Sequence, residues 1–275
     1  MALDLDNIVV FTIGRMNPPT PGHMLLIEKL ILRAASLGQS KIGIILSHSQ
    51  DLPKNPFSCE EKRKLLLSGM IQALKEQMKL KVSSYSPQIS PESIDKIEPI
   101  IICMDDPTPA EFGSHRIIKS LNAILATYKN PVERAILIIG EDRANDYGWI
   151  LESLEKRTPP IQGIVEALPR PEGAISATEI RGYAMTGDWE NFLARMQSTG
   201  LPESVLREVF DQLHEMLTAP GPVAKGKGKG KKGGNTLKLK KTNKRGGPRK
   251  TRKTKKQEKQ KKQEKQKKTR KIYRK

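Results

Sequence analysis

Residues 8–13, Ile-Val-Val-Phe-Thr-Ile, form an apolar run that passes through Gly14-Arg15-Met16-Asn17-Pro18-Pro19-Thr20-Pro21-Gly22-His23 into a helical pattern. In that pattern Ile27, Leu30, Ile31 and Ala34 recur at spacings of three and four, and a second apolar run follows at residues 41–46. A strand apolar along its whole length needs cover on both faces, and amphipathic helices between such strands supply it. Further runs at 98–103 and 134–139 repeat the unit, which predicts an α/β fold with a parallel sheet and helices on both faces. The stretch 83–99 mixes Ser, Pro and charge without a period and reads as an insertion or irregular crossover. Residues 188–197 and 202–218 read as closing helices, punctuated by Gly200-Leu201-Pro202. Ligands of such sheets bind beyond the carboxyl ends of the strands.

The residues at those ends suit phosphate chemistry. The loop from Gly14 to His23 offers glycine for close backbone approach, free N–H groups at a helix start, and an imidazole able to donate a proton near neutral pH. Far down the chain, Ile175-Ser176-Ala177-Thr178-Glu179-Ile180-Arg181 places Ser and Thr before a helical stretch and an arginine within one turn, a second anion site. Ser176 and Glu179 also fit a capping box. Behind the second strand come Ser47-His48-Ser49-Gln50, then Lys54-Asn55-Pro56-Phe57-Ser58 and Glu60-Glu61-Lys62-Arg63; Lys54 and Asn55 could reach phosphate from that loop. Asp105-Asp106 lacks further ligands at metal spacing and reads as a solvated turn, so no metal site is expected in the protein itself. His115 and His214 have no supporting context.

Together the two main elements resemble those of the nucleotidylyltransferase superfamily, which carries a (His/Thr)-x-Gly-His motif after its first strand and Ile-Ser-x-Thr-x-x-Arg at a late helix start. The flanks are most similar to nicotinamide mononucleotide adenylyltransferases, over roughly residues 7–200 and weakest in the middle. The resemblance implies a Rossmann-like domain that moves a nucleotidyl group, AMP from ATP, onto a phosphate-bearing acceptor and releases pyrophosphate. It implies that His23 binds the α-phosphate, that Thr20 donates to phosphate, and that Ser176, Thr178 and Arg181 hold the β- and γ-phosphates. Gly14, Arg15 and Gly22 would complete the nucleotide site. Asp142, in Gly140-Glu141-Asp142, would contact nucleotide or substrate, and helix capping is its other reading. Mg²⁺ would be carried with ATP. Ala177 stands where serine or glycine is common, and Thr20 where cytidylyltransferases have histidine. Neither disables the site; because the resemblance is weakest in the middle, where the acceptor would be recognised, phosphopantetheine or alcohol phosphate acceptors and CTP stay open. A class I aminoacyl-tRNA synthetase fits poorly, because no Lys-Met-Ser-Lys-Ser element is present.

Charge divides the 275-residue chain sharply: residues 221–275 hold 26 of the 49 basic residues and 2 of the 30 acidic ones, leaving the tail at +24 and the body at −5. With almost no apolar content the tail cannot offset its ordering entropy, so the expected organisation is a catalytic domain over 1–220 and a disordered arm over 221–275. Gln-Glu-Lys-Gln-Lys-Lys occurs twice in succession, at 257–262 and 263–268, and Tyr273 is the arm's single aromatic residue. Residues 225–275 thus suit backbone contact to nucleic acid without base reading, nuclear targeting, or solubility alone. If tethering were the whole role, the α/β domain would be a degenerate scaffold. Cys59 and Cys103 show neither metal spacing nor a disulfide framework and read as buried structural thiols of an intracellular, reduced protein, with no membrane span.

Overall fold

The computed structural model describes residues 7–113, 115–170 and 173–219. Five strands, β1 (Ile8–Gly14), β2 (Lys41–Leu46), β3 (Glu98–Cys103), β4 (Arg134–Gly140) and β5 (Gln162–Leu168), pair in parallel as one sheet in the order β3-β2-β1-β4-β5. The fold is α/β and Rossmann-like. From β1 the chain steps outward through β2 to β3, then returns to lay β4 on the other side of β1. The crevice that this reversal leaves at the carboxyl ends of β1 and β4 is where the two loops diverge.

Helices cover both faces, as continuous apolar strands require. On one face lie α1 (Pro21–Ser36), α2 (Cys59–Leu65), joined through a π-turn to α3 (Ile71–Leu80), and α4 (Pro91–Asp95). Residues Ile27, Leu30, Ile31 and Ala34 of α1 are buried there. The other face carries α5 (Arg116–Leu125) and α6 (Gly148–Glu155), which bury Leu121, Ile124, Ile150 and Leu154. Three further helices, α7 (Ala177–Thr186), α8 (Trp189–Met196) and α9 (Glu203–Thr218), close over the α1 face through Ile180, Phe192, Leu206 and Phe210. Close packing of α5 depends on Gly43 in β2, where a Cβ would lie 2.8 Å from Ile124 Cδ1 and 3.0 Å from Phe11 Cβ.

Three sequence readings change. β5 has no counterpart among the expected strands: it is a half-exposed edge, and Gly163 and Glu166 interrupt its apolar content. Within 83–99 the chain is partly regular, because Ser90 and Ser93 cap α4 reciprocally, Ser93 N–H to Ser90 Oγ at 3.2 Å and Ser90 N–H to Ser93 Oγ at 3.0 Å. Cys59 and Cys103, expected as separate reduced thiols, form a disulfide. Forty-four residues separate them in sequence, but pairing of Leu46 with Cys103 and the fold-back of α2 bring the end of β3 under the start of that helix. The inference from free thiols to a reducing compartment goes with them. The boundary expected at residue 220 and the basic arm lie outside the described residues. Among the described residues no helix is long and apolar enough to cross a membrane.

Candidate functional site

The loop after β1 is held in one shape by contacts beneath it. Met16 takes a left-handed backbone conformation (φ 45°) and buries its side chain completely, a local strain that the surroundings must offset. Asn17, also buried, pairs its amide with the backbone of Phe57 in the second loop: Nδ2 donates to Phe57 O at 2.7 Å, and Oδ1 accepts from Phe57 N–H at 3.0 Å. Lys62 of α2, fully buried, donates to Arg15 O at 3.1 Å and Ser47 O at 2.6 Å. The first two strand-end loops are therefore one unit.

Above it, Thr20 is the N-cap residue of α1 and His23 stands one turn in. His23 Nδ1 lies 3.0 Å from Thr20 N and 2.8 Å from Thr20 Oγ1. A backbone N–H can only donate, so Nδ1 is an acceptor and the proton of the neutral ring sits on Nε2. Loss of hydration, then the nearby Arg15 and Arg170 cations, push the imidazole pKa down to about 4. At neutral pH His23 is an uncharged ring with a fixed Nε2–H donor. Thr20 is buried with its hydroxyl against that ring, so in this geometry it orients His23. A Cβ built on Gly22 meets nothing nearer than Thr20 Oγ1 at 4.0 Å, which leaves the helix start open from above.

The late motif closes on this loop. Arg181 Nη1 donates to Asn17 O at 2.7 Å and Nη2 to Thr178 Oγ1 at 3.0 Å, joining α7 to the β1–α1 loop across the crevice. Burial first, and then the Arg15 charge, pull the Arg181 pKa below its ordinary value, against an opposing effect of Asp51. Ser176 caps α7 by accepting from Glu179 N–H at 3.1 Å. The reciprocal half of the expected capping box is not made, since the Glu179 carboxylate accepts from Tyr183 OH at 3.1 Å and pairs with Arg195 at 3.3 Å. Arg15 is exposed, and Arg170 donates to Ala174 O at 3.3 Å. Among the described residues Arg15, Arg170 and Arg181 have no carboxylate within ion-pair distance. Uncompensated guanidinium groups beside two helix starts make the crevice strongly anion-attracting.

The remaining candidates separate. Gly14 ends β1 at the base of the loop. Asp142 is exposed in the 3₁₀ turn Glu141–Asp146 after β4 and caps nothing, since α6 starts only at Gly148. A Cβ on Gly140 would come within 2.8 Å of Asp142 Oδ1, so the glycine lets this carboxylate fold back over the strand end. Asn55 is buried and spends its amide on Asp51 inside its own loop, while Lys54 is exposed at the tip. Asp106 is no solvated turn residue: it accepts from Cys103 N–H at 2.8 Å and pairs with Arg63. His48 contacts Arg116, His115 packs edge-on against Trp149 at 4.5 Å, and His214 donates to Ala184 O at 2.7 Å within the closing helices. Acidic and sulfur ligands do cluster as Cys59-Cys103-Asp105 and Glu60-Cys103-Asp106, but their sulfurs are in the disulfide and offer no thiolate. A shallow concavity of about 680 Å³, lined by Tyr128, Val132, Arg157 and Ile161 among others, lies at the opposite, amino ends of β4 and β5.

Sequence reasoning missed Arg170, Asn17 and Lys62. Arg170 follows a proline in an irregular stretch, Asn17 looks like turn punctuation, and Lys62 sits in a charge run typical of a solvated helix face.

No family model matches the sequence, and no curated protein matches it. Solved structures do: a Vibrio parahaemolyticus protein described as a nicotinate-nucleotide adenylyltransferase is similar over 77% of this chain and 98% of its own, at 16% identity and a TM-score of 0.43. At that distance the similarity says nothing of what this chain binds.

Proposed function

We propose that this protein is a nucleotidylyltransferase that transfers AMP from ATP to a phosphate-bearing acceptor, with nicotinamide mononucleotide the first candidate, and releases pyrophosphate. The observation that carries this reading is the contact of Arg181 with the Asn17 carbonyl. It joins the starts of α1 and α7 beside the neutral His23 ring, where among the described residues Arg15, Arg170 and Arg181 have no carboxylate within ion-pair distance. An acceptor phosphate oxygen attacks the α-phosphorus in line, a new P–O bond forms, and the bond to the β-phosphate oxygen breaks with its electron pair leaving on pyrophosphate. Such transfer is governed by positioning and charge stabilisation. His23 Nε2–H donates to the α-phosphate oxygens as charge builds there. The start of α7, Ser176, Thr178 and Arg181 hold the leaving phosphates, and Arg15 and Arg170 add charge from the rim. Mg²⁺ would be carried with the triphosphate and would supply charge neutralisation on its phosphate oxygens.

His23→Ala lowers kcat by about two to three orders of magnitude, the effect of losing one preorganised donor, with circular dichroism unchanged. A near-normal rate in that variant removes His23 from the mechanism. A second reading, a nucleic-acid tether on a scaffold of this fold, is favoured by the +24 charge of residues 221–275 and predicts no turnover with any nucleotide.

A further inference from the structure

We propose that Lys62 is a positioning residue for the phosphate loop, a buried ammonium that clamps the β1–α1 and β2–α2 loops together and places a fixed positive charge beneath the nucleotide site. The inference rests on the function proposed above for the same crevice.

Lys62 is the largest fully buried cationic side chain in the protein's described part, and burying an ammonium is costly unless its donors are used. Two of its three donors are spent on backbone carbonyls, Arg15 O at 3.1 Å and Ser47 O at 2.6 Å. Those carbonyls belong to the residues just beyond the ends of β1 and β2. The clamp therefore fixes where the backbone turns away from the sheet, two residues before the strained Met16–Asn17 segment ends. Its own helix is firmly seated: Ser58 and Glu61 cap α2 reciprocally, and the Cys59–Cys103 disulfide ties its first turn to β3. An apolar residue here would save the desolvation cost, so the charge itself is the feature that needs a reason.

The charged groups around Lys62 leave it without a neutralising contact. Asp105, from the loop after β3, opposes the loss of its proton, but no carboxylate lies within ion-pair distance among the described residues. Asp106 is engaged with Arg63, Glu60 with Arg63, and Glu61 with the Ser58 N–H. His48 is turned to Arg116, and Arg15 offers Lys62 only its carbonyl. Burial consequently lowers the Lys62 pKa from 10.5 to about 8. Loss of the proton removes the charge assistance that makes these two bonds strong and the positive potential below the phosphates.

The test compares the full-length wild type with Lys62→Arg, which stays charged, and Lys62→Met, which keeps the stem and loses the donors. Two readouts are used. Hydrogen exchange at the amides of Arg15, Met16, Asn17 and Thr20, without substrate and corrected for intrinsic rates, should quicken in Lys62→Met while β1 stays protected, and in wild type should quicken from pH 7 to 9. Turnover with ATP should show kcat/KM about tenfold lower at pH 9 than at pH 7 in wild type, following the charged fraction of a group titrating near 8, and a flatter profile in Lys62→Arg. Equal loop exchange in wild type at both pH values overturns the clamp, and so does wild-type loop exchange in Lys62→Met. If no variant turns over any nucleotide, the proposed function fails, and the exchange comparison still decides the clamp.

Discussion

His23 shows how a residue's surroundings choose among the roles its type allows. A free imidazole is half charged near pH 6.5, whereas this one is held neutral to about pH 4 by burial and by Arg15 and Arg170. Between those values the unfolded chain takes up a proton that the folded protein refuses, so stability falls as pH drops from 6.5 towards 4 and the penalty is complete below the folded value. Nitrogen-15 NMR of the ligand-free protein should therefore find His23 titrating below pH 5, with the proton of the neutral form on Nε2. A midpoint near 6.5 contradicts the burial and the charge cluster together. That His23, Ser176 and Arg181 stand at helix starts was legible in the sequence because each lies in a short local motif. Arg170, Asn17 and Lys62 were not, because each acquires its role from a partner across the fold: Arg170 through the field at His23, Asn17 through Phe57, Lys62 through Arg15 and Ser47.

At the level of elements, periodicity found the buried strands and the β3 edge, and failed at the β5 edge. Strands β1, β2 and β4 are almost wholly buried and read as continuous apolar runs, and α1 shows its core stripe at the predicted positions. β5 is buried less than any of these and hid its pattern, and the Cys59–Cys103 bridge carried no local signal because its ends meet only through the pairing of β2 with β3 and the fold-back of α2. Gly43 is the central example of a constraint that only the fold reveals. In sequence it is one small residue in an apolar strand, yet α5 rests where its Cβ would be. Gly43→Ala should cost about 1–3 kcal/mol in chemical denaturation, since Ile124 and Phe11 must both give way. A stability within a few tenths of a kcal/mol of wild type would mean that α5 sits farther from the sheet.

Across the whole molecule, topology and charge make a consistent pair. The order β3-β2-β1-β4-β5 puts the starts of α1 and α7, proposed above to hold phosphate, at one end of the sheet, and Arg181 bridges them through Asn17. The body is nevertheless acidic in sum, at −5, so the positive crevice is a local arrangement of Arg15, Arg170 and Arg181 rather than a consequence of overall composition. The acidic body and the candidates Arg15 and Arg181 were readable in the sequence; the nearness of Arg170 to them was not. The account's central claim is that this crevice transfers a nucleotidyl group, and pyrophosphate release tests it most directly. The full-length protein with Mg²⁺ is given ATP or CTP in turn with nicotinamide mononucleotide, nicotinate mononucleotide, phosphopantetheine or glycerol 3-phosphate. The account predicts release with ATP and one of the first two acceptors, at a rate that His23→Ala cuts by about two to three orders of magnitude. No release with any pair, in a protein that remains folded and binds no nucleotide, would contradict it and leave the tethering role in its place.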